Sequence, residues 1–358
     1  MIILTVVGAR PQFIKAAALS RVLRQKHTEI LVHTGQHYDP MMSDIFFEEL
    51  AIPKPDYNLG IAGGTHAEMT ARMLSAIDDT LVWEKPDALL VYGDTNSTLA
   101  AALAAVKRQI PILHVEAGNR LHTLQNPEEI NRVLTDHMAT KLFACVHSAM
   151  DELQKENLAD RAYLVGDPMY DAFTYYRSIG KAEVPATVTN INGAAEPIPE
   201  TYCYLTCHRE ENTKDERNLS QVLQAMEELE MNTYYPVHPR NLETVIRLRE
   251  QLSLEKVKLL APLGYLESIA MVSHAQHIVT DSGGVQREAY FAQVPCVTVF
   301  DYAVWPETMH DYCNQLAKPD QHDILCKLQA KPNFMADGHP FGDGHACEKI
   351  VSIIDRGL

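Results

Sequence analysis

The sequence predicts an α/β protein of two doubly wound, Rossmann-like domains, and three observations carry that expectation. Short apolar runs rich in β-branched residues alternate with longer segments of helical composition. The short runs end repeatedly in glycine and polar residues. A stretch without periodicity, rich in proline and asparagine, divides the alternation into two halves. Alternation of this kind builds βα units, that is, a parallel sheet with helices on both faces.

In the first half the predicted strands are residues 2–7, 30–34, 88–92, 112–115, 141–145 and 163–165, with helical segments at 12–25, 65–82 and 95–108. These make up a domain over residues 1–168. Residues 169–200 are expected to be a linker region, because 181–200 carries Pro185, Asn190, Asn192, Gly193, Pro197 and Pro199 with no apolar period. Strands resume at 202–206, 233–237, 256–260, 278–280 and 296–299, giving a second domain over 201–343. After Gly342-Asp343-Gly344, residues 346–356 read as a helix.

Composition narrows the function. A chain of 358 residues suits two domains of roughly 150 to 200 residues each. A net charge of −16 leaves no basic footprint for nucleic acid or an anionic membrane, so an anionic ligand must be held by a local group of cations. The seven cysteines have no paired spacing, which points to free thiols in a reducing cytoplasm and not to a metal knuckle. Met1 to Gly8 is apolar but too short for a signal-peptide core, and no run approaches transmembrane length.

The stretch from His277 to Ala289 reads as a buried strand, a phosphate loop and a helix. Ser282, Gly283 and Gly284 stand where amides of a helix first turn would meet a diphosphate, with the positive end of the dipole behind them. Glu288, four residues after Gly284, stands where a carboxylate can accept from ribose hydroxyls. The competing reading is an ordinary strand-to-helix turn. Other strand ends supply further polar residues: Arg10 and Lys15 after the first, Gln36 and His37 after the second, Asp94 after the third, and Glu116 after the fourth. Glu128 and Arg132 follow in the next helical segment, and His208 and His238 open the second half. Asp94, Glu116, Glu128 and His208 form an acid-rich group beside a histidine. Arg10, Lys15, Arg132, His238 and the Ser282 loop could hold negative charge. Singly, each has a structural reading: Asp94 as a helix N-cap, Glu128 or Glu129 as first-turn carboxylates placed by the helix dipole, the histidines as satisfied strand-end residues. Their joint occurrence at successive strand ends favours a site.

The chain resembles the non-hydrolysing UDP-N-acetylglucosamine 2-epimerase family over nearly its whole length. The matching stretches include Gly8-Ala9-Arg10-Pro11, Thr34-Gly35-Gln36-His37, Gly93-Asp94-Thr95, His114-Val115-Glu116-Ala117-Gly118, Pro127-Glu128-Glu129, His208-Arg209, His238-Pro239 and Asp281-Ser282-Gly283-Gly284 with Glu288. The resemblance implies a glycosyltransferase-B-like fold facing a cleft, a C-terminal helix (344–358) that returns to the first domain, and a homodimer. It implies catalysis by Asp94, Glu116, Glu128 and His208, and UDP-sugar binding by Arg10, Ser282, Gly283, Gly284 and Glu288. Within the family, some stretches look most like the branch acting on UDP-2,3-diacetamido-2,3-dideoxy-glucuronate. The chain departs from the family pattern at Phe300, usually arginine, at Ala303-Val304, usually Thr-Glu, and at Glu210. The first two bear on the diphosphate grip and the third on allosteric activation.

Inverting C2 of a 2-acetamido sugar by elimination and re-addition of UDP requires proton-handling groups and a firm hold on the departing diphosphate. It requires neither a nicotinamide cofactor nor a metal, and no Gly-x-Gly-x-x-Gly fingerprint follows a strand here. The expected partner is therefore a UDP-sugar, with no cofactor. A glycosyltransferase, a UDP-sugar binding protein and a hydrolysing 2-epimerase are the other readings.

Overall fold

The structure is a computed structural model that describes residues 1–36, 49–179, 184–334 and 338–358. The chain divides into two compact units, one of Met1–Thr174 with His339–Leu358 and the other of Tyr175–Gly338.

The first unit is built on β1 (Ile2–Val7), β2 (Thr28–His33), β3 (Tyr57–Asn58), β4 (Ala88–Tyr92), β5 (Ile112–Val115), β6 (Lys141–Ala144) and β7 (Ala162–Leu164). They form one seven-stranded sheet in the order β3-β2-β1-β4-β5-β6-β7. The pairings are parallel, with β1 between β2 and β4. All five residues of β4 are fully buried, as expected of a parallel strand covered on both faces. The alanine-rich helix Asn96–Lys107 packs between the helices His66–Glu84 and Pro127–Met138, where its small side chains allow close approach.

The second unit begins with a small antiparallel pair, β8 (Thr187–Thr189) and β9 (Ala195–Pro197). Its main sheet contains β10 (Tyr202–Thr206), β11 (Asn232–Pro236), β12 (Val257–Leu260), β13 (His277–Thr280), β14 (Cys296–Val299) and β15 (Asn314–Ala317), in the order β12-β11-β10-β13-β14-β15. Two apolar clusters cover its two faces. Cys203 and Leu205 of β10 join one, Tyr202 and Tyr204 the other, as a period of two requires.

Counted from its own first strand, each main sheet begins with the order 3-2-1-4-5-6, that of the Rossmann fold. The two-domain α/β expectation holds. The division between the units falls within residues 169–200, after Thr174, and the helix Pro168–Ser178 and the β8–β9 pair occupy much of that stretch. The asparagine and glycine that looked like loop residues make the turn of the hairpin, where the Asn190 side chain accepts from the amides of Asn192 and Ala194. The helix Ala346–Asp355 belongs to the first unit and packs on the helix Arg10–Leu23.

Candidate active site

In a doubly wound sheet the strand order reverses once, and the loops at that reversal splay apart to leave room for a ligand. The reversal lies between β1 and β4 in the first unit and between β10 and β13 in the second. Of the residues expected at a site, Arg10 and Asp94 stand just past β1 and β4, and His208 and Ser282 just past β10 and β13.

In the first unit, Arg10 opens the helix Arg10–Leu23, with Pro11 second in it. Gln12 is buried and ties the reversal together: its Oε1 accepts from the amides of Gly8 (2.8 Å) and Ala9 (3.1 Å), and its Nε2 donates to the Tyr92 carbonyl at the end of β4 (2.7 Å). Beyond β4, Thr95 and not Asp94 caps the next helix, its hydroxyl accepting from the Thr98 amide. Asp94 instead pairs with Arg132, which also bonds Glu129 at 2.5 Å. Burial disfavours the charge on Arg132, but Asp94, Glu129 and Glu116 outweigh it and raise its pKa above the ordinary arginine value.

Glu116 lies just past β5 and is buried, in an ion pair with the equally buried Lys15. Its backbone is left-handed at φ 67°, a conformation side chains rarely adopt. The amides of Glu116 and Ala117 both donate to the Phe143 carbonyl, at 3.0 and 3.1 Å. Strain of this kind costs on the order of 1–3 kcal/mol and persists where surrounding contacts over-determine it. The carboxyl groups of Glu116 and Asp167 and the Cys145 thiol lie within 4.8 Å of one another, all buried. The Lys15 ammonium already balances the Glu116 charge there.

Lys15 and Arg132, expected as groups that could hold negative charge, are each buried against one of the carboxylates expected to do chemistry, because an unpaired charge at that depth would be costly. The Gln36 side chain accepts from the amide and hydroxyl of Ser97, at 3.1 and 2.7 Å, and so helps to start a helix. Glu128 stands exposed in the first turn of the helix Pro127–Met138, whereas Glu129 is buried and accepts from the amides of Leu121 and His122. His37 lies outside the described residues.

In the second unit, β10 and β13 pair with Thr206 opposite Thr280, which brings His208 beside Asp281. The fully buried Asp281 accepts from the amides of His208 and Arg209, both at 2.8 Å, and its other oxygen lies 3.1 Å from His208 Nδ1. Burial pushes the Asp281 carboxyl up, but the His208 ring and these two amides overcome that and hold it below the usual carboxylate range. His208 is 40% exposed and stacks on His238, with 6.4 Å between centroids. Nδ1 of His238 accepts from the Arg240 amide, so that ring also caps a short turn.

Ser282 is the N-cap of the helix Gly283–Ala292, its hydroxyl accepting from the Val285 amide. Gly283 and Gly284 are therefore the first two helical residues, and neither is among the described residues with positive φ. What glycine offers here is an uncovered amide surface at the positive end of the helix, not a special turn. Glu288 is buried further along the same helix. Phe300, at the position usually held by arginine, lies under the Arg209 guanidinium, 4.4 Å from the ring centre, so a cation is present at that corner from another part of the chain.

The fold and these strand ends define a doubly wound α/β protein whose polar groups converge on the strand-order reversals. Within that class the family model described as UDP-N-acetylglucosamine 2-epimerase matches residues 21–355, and the chain belongs to that family. It is similar to a UDP-N-acetylglucosamine 2-epimerase homolog of Methanococcus maripaludis, 43% identical over 99% of each chain. It is also similar to the UDP-2,3-diacetamido-2,3-dideoxy-D-glucuronate 2-epimerase of Pseudomonas aeruginosa, 42% identical over 99% of this chain and 100% of the relative. In structure it is similar to the UDP-GlcNAc 2-epimerase of Methanocaldococcus jannaschii in complex with UDP-GlcNAc and UDP, with a TM-score of 0.86, 35% identity and 100% of each chain covered.

The sequence reading missed Asp281 as a supporting residue. The signal was present: strands that pair in parallel place the residues just beyond their ends side by side, and Asp281 and His208 stand just beyond theirs.

Proposed function

We propose that this protein is an isomerase that inverts C2 of a UDP-activated 2-acetamido sugar, interconverting UDP-N-acetylglucosamine and UDP-N-acetylmannosamine with the sugar kept on UDP. The observation that carries the reading is the end-to-end match to the M. jannaschii enzyme crystallised with UDP-GlcNAc and UDP. One carboxylate of the Asp94, Glu116 and Glu128 set takes the C2 proton while the bond from C1 to UDP breaks, leaving a 2-acetamidoglucal. UDP then adds back to C1 as C2 receives a proton on the opposite face. Arg10, Arg209, His208 and the amides of the Ser282 loop stabilise the departing diphosphate, and Glu288 holds the ribose. His238 steadies His208 by stacking. The route uses no nicotinamide and no metal.

A homodimer and a cytoplasmic location belong to the same reading. Exposed Ile130 and Leu134 on the helix Pro127–Met138 suit a subunit contact, which light scattering would test. Seven free thiols suit a reducing compartment. Among the described residues, no helix is long and apolar enough to cross a membrane. The P. aeruginosa relative favours one second reading, a 2,3-diacetamido uronate in place of N-acetylglucosamine.

NMR of the purified protein with each UDP-sugar in heavy water tests the proposal and separates the two substrates. The expected result is a C2-inverted UDP-sugar carrying solvent deuterium at C2. Retention of the original hydrogen would rule out proton abstraction at that carbon, and release of a free sugar would make the enzyme a hydrolase.

A further inference from the structure

His114, on the interior strand β5 of the first sheet, is fully buried, and both of its ring nitrogens meet acceptors. Nε2 lies 2.7 Å from the Gly93 carbonyl, and Nδ1 lies 2.6 Å from Oδ1 of Asp136. A carbonyl and a carboxylate can only accept, so both nitrogens are placed to donate. The other oxygen of Asp136 accepts from the Gly118 amide (3.0 Å) and from Arg120 (2.7 Å), and Arg120 grips Glu156 through two further nitrogens at 2.7 and 2.8 Å. Burial pushes the Asp136 carboxyl up, but His114 and Arg120 together hold it below its ordinary value.

The two ends of this chain are informative. Gly93 is left-handed at φ 59° and immediately precedes Asp94. Gly118 is left-handed at φ 89° and follows Glu116 by two residues, Glu116 itself being left-handed. The path from the Gly93 carbonyl through His114 and Asp136 to the Gly118 amide thus joins the two loops that carry the proposed proton-handling carboxylates. A buried charged network is a costly way to fill a sheet–helix interface that apolar side chains could fill.

We infer that His114 and Asp136 are positioning residues for the epimerisation proposed above, clamping the loops of Asp94 and Glu116 so that the two carboxylates hold a fixed relative placement. The inference rests on that reading of the site. Neither residue needs to touch the sugar; their effect passes through the peptide before Asp94 and the turn after Glu116.

The test uses the full-length protein and three variants. His114→Asn keeps a donor near the Nδ1 position and loses the link to Gly93. His114→Gln keeps a donor near the Nε2 position and loses the link to Asp136. Arg120→Lys, the mildest, keeps the charge and loses the fork. Turnover of UDP-N-acetylglucosamine, UDP affinity by calorimetry and thermal melting are read for each. For the two His114 variants we expect kcat to fall about 10- to 100-fold, the cost of a misplacement on the ångström scale, with KM and UDP affinity within about twofold of wild type. For Arg120→Lys we expect a smaller fall with the same split. Unchanged kcat per folded molecule with lower melting temperatures would reduce the clamp to a stabilising role and overturn the inference. If both His114 variants fail to fold, Arg120→Lys decides by the same split. Amide hydrogen exchange followed by NMR provides an arm independent of turnover: the Gly118 amide, bonded to Asp136, is expected to be protected in wild type and to lose protection in the His114 variants, and equal protection would refute the link. Wild type without epimerase turnover would sink the proposed function, while the NMR arm would still judge the clamp.

Discussion

The two strand-order reversals share one topology and differ in how they handle charge. In the first unit, Lys15, Glu116 and Arg132 are buried, the charges are locked in pairs, and the backbone at Glu116 is strained. In the second, the helix after β13 starts regularly on a serine cap, and the partly exposed ring of His208 is supported by a buried aspartate. A group that must give and take a proton at a defined atom gains from rigid placement. A diphosphate is a diffuse anion, which amides and a partly exposed ring can hold without that precision. On the proposed reading, the same strand order serves an over-determined proton site in one unit and a relaxed anion site in the other.

The sharpest way to break this comparison is to neutralise the carboxylates. Asp94→Asn, Glu116→Gln and Glu128→Gln should each lower kcat by a factor on the order of a hundred or more, as expected for lost acid–base groups, with UDP affinity by calorimetry nearly intact. If UDP affinity collapses in step with turnover in all three, the first unit holds the nucleotide and the division of labour fails. The counterpart in the second unit is Glu288→Ala, expected to weaken UDP binding by about 1.5 to 3 kcal/mol, the range for hydrogen bonds to a charged group. Unchanged affinity there would place the nucleotide elsewhere.

Two smaller effects sharpen the picture of the anion site. A Cβ built on Gly283 meets Trp305 at an ordinary 3.6 Å, so Gly283→Ala should fold normally. Any loss of UDP affinity, up to roughly tenfold or about 1.4 kcal/mol, would then report on how closely the ligand approaches the amides; no loss would mean that it keeps its distance. The smallest effect concerns pH. Asp281 has a folded pKa below the ordinary value, so it contributes stability that is present above its unfolded value of about 3.9 and is lost as pH falls through the folded value. Relative to Asp281→Asn, the wild-type advantage in urea unfolding, followed by the buried Trp305, should therefore be full at pH 7 and shrink on acidification. An advantage that grows on acidification would reverse the sign assigned to the His208–Asp281 pair.

Much of the fold was legible because apolar runs covered on both faces announce themselves. The strands read at 2–7, 88–92, 112–115, 202–206 and 296–299 coincide with β1, β4, β5, β10 and β14. The edge strand β15 was missed: Asn314 and Gln315 are polar, and an edge position asks for no apolar run. The β8–β9 hairpin was missed because strands of three residues are too short to show a period. At the site, residue types and their strand-end positions could be read, but their pairing could not. That Lys15 turns to Glu116 and Arg132 to Asp94 depends on how deep each side chain sits beneath the strand ends, which is a property of the packed sheet. The left-handed turn at Glu116 was also invisible, since nothing in a glutamate announces positive φ.

The helix Ala346–Asp355 has a consequence for how the molecule is made. It packs on the helix that follows β1, and its Asp355 bonds Lys26 at 2.6 Å across 329 residues of chain. Asp171 receives its first amides, those of Ala346 and Cys347. On a ribosome the second unit, contiguous in sequence, emerges whole while the first still lacks this piece, although all seven strands of the first sheet precede the second unit in the chain. The order of birth and the order of completion are thus reversed, and the nascent first sheet waits with the Arg10–Leu23 helix partly uncovered until the closing helix arrives.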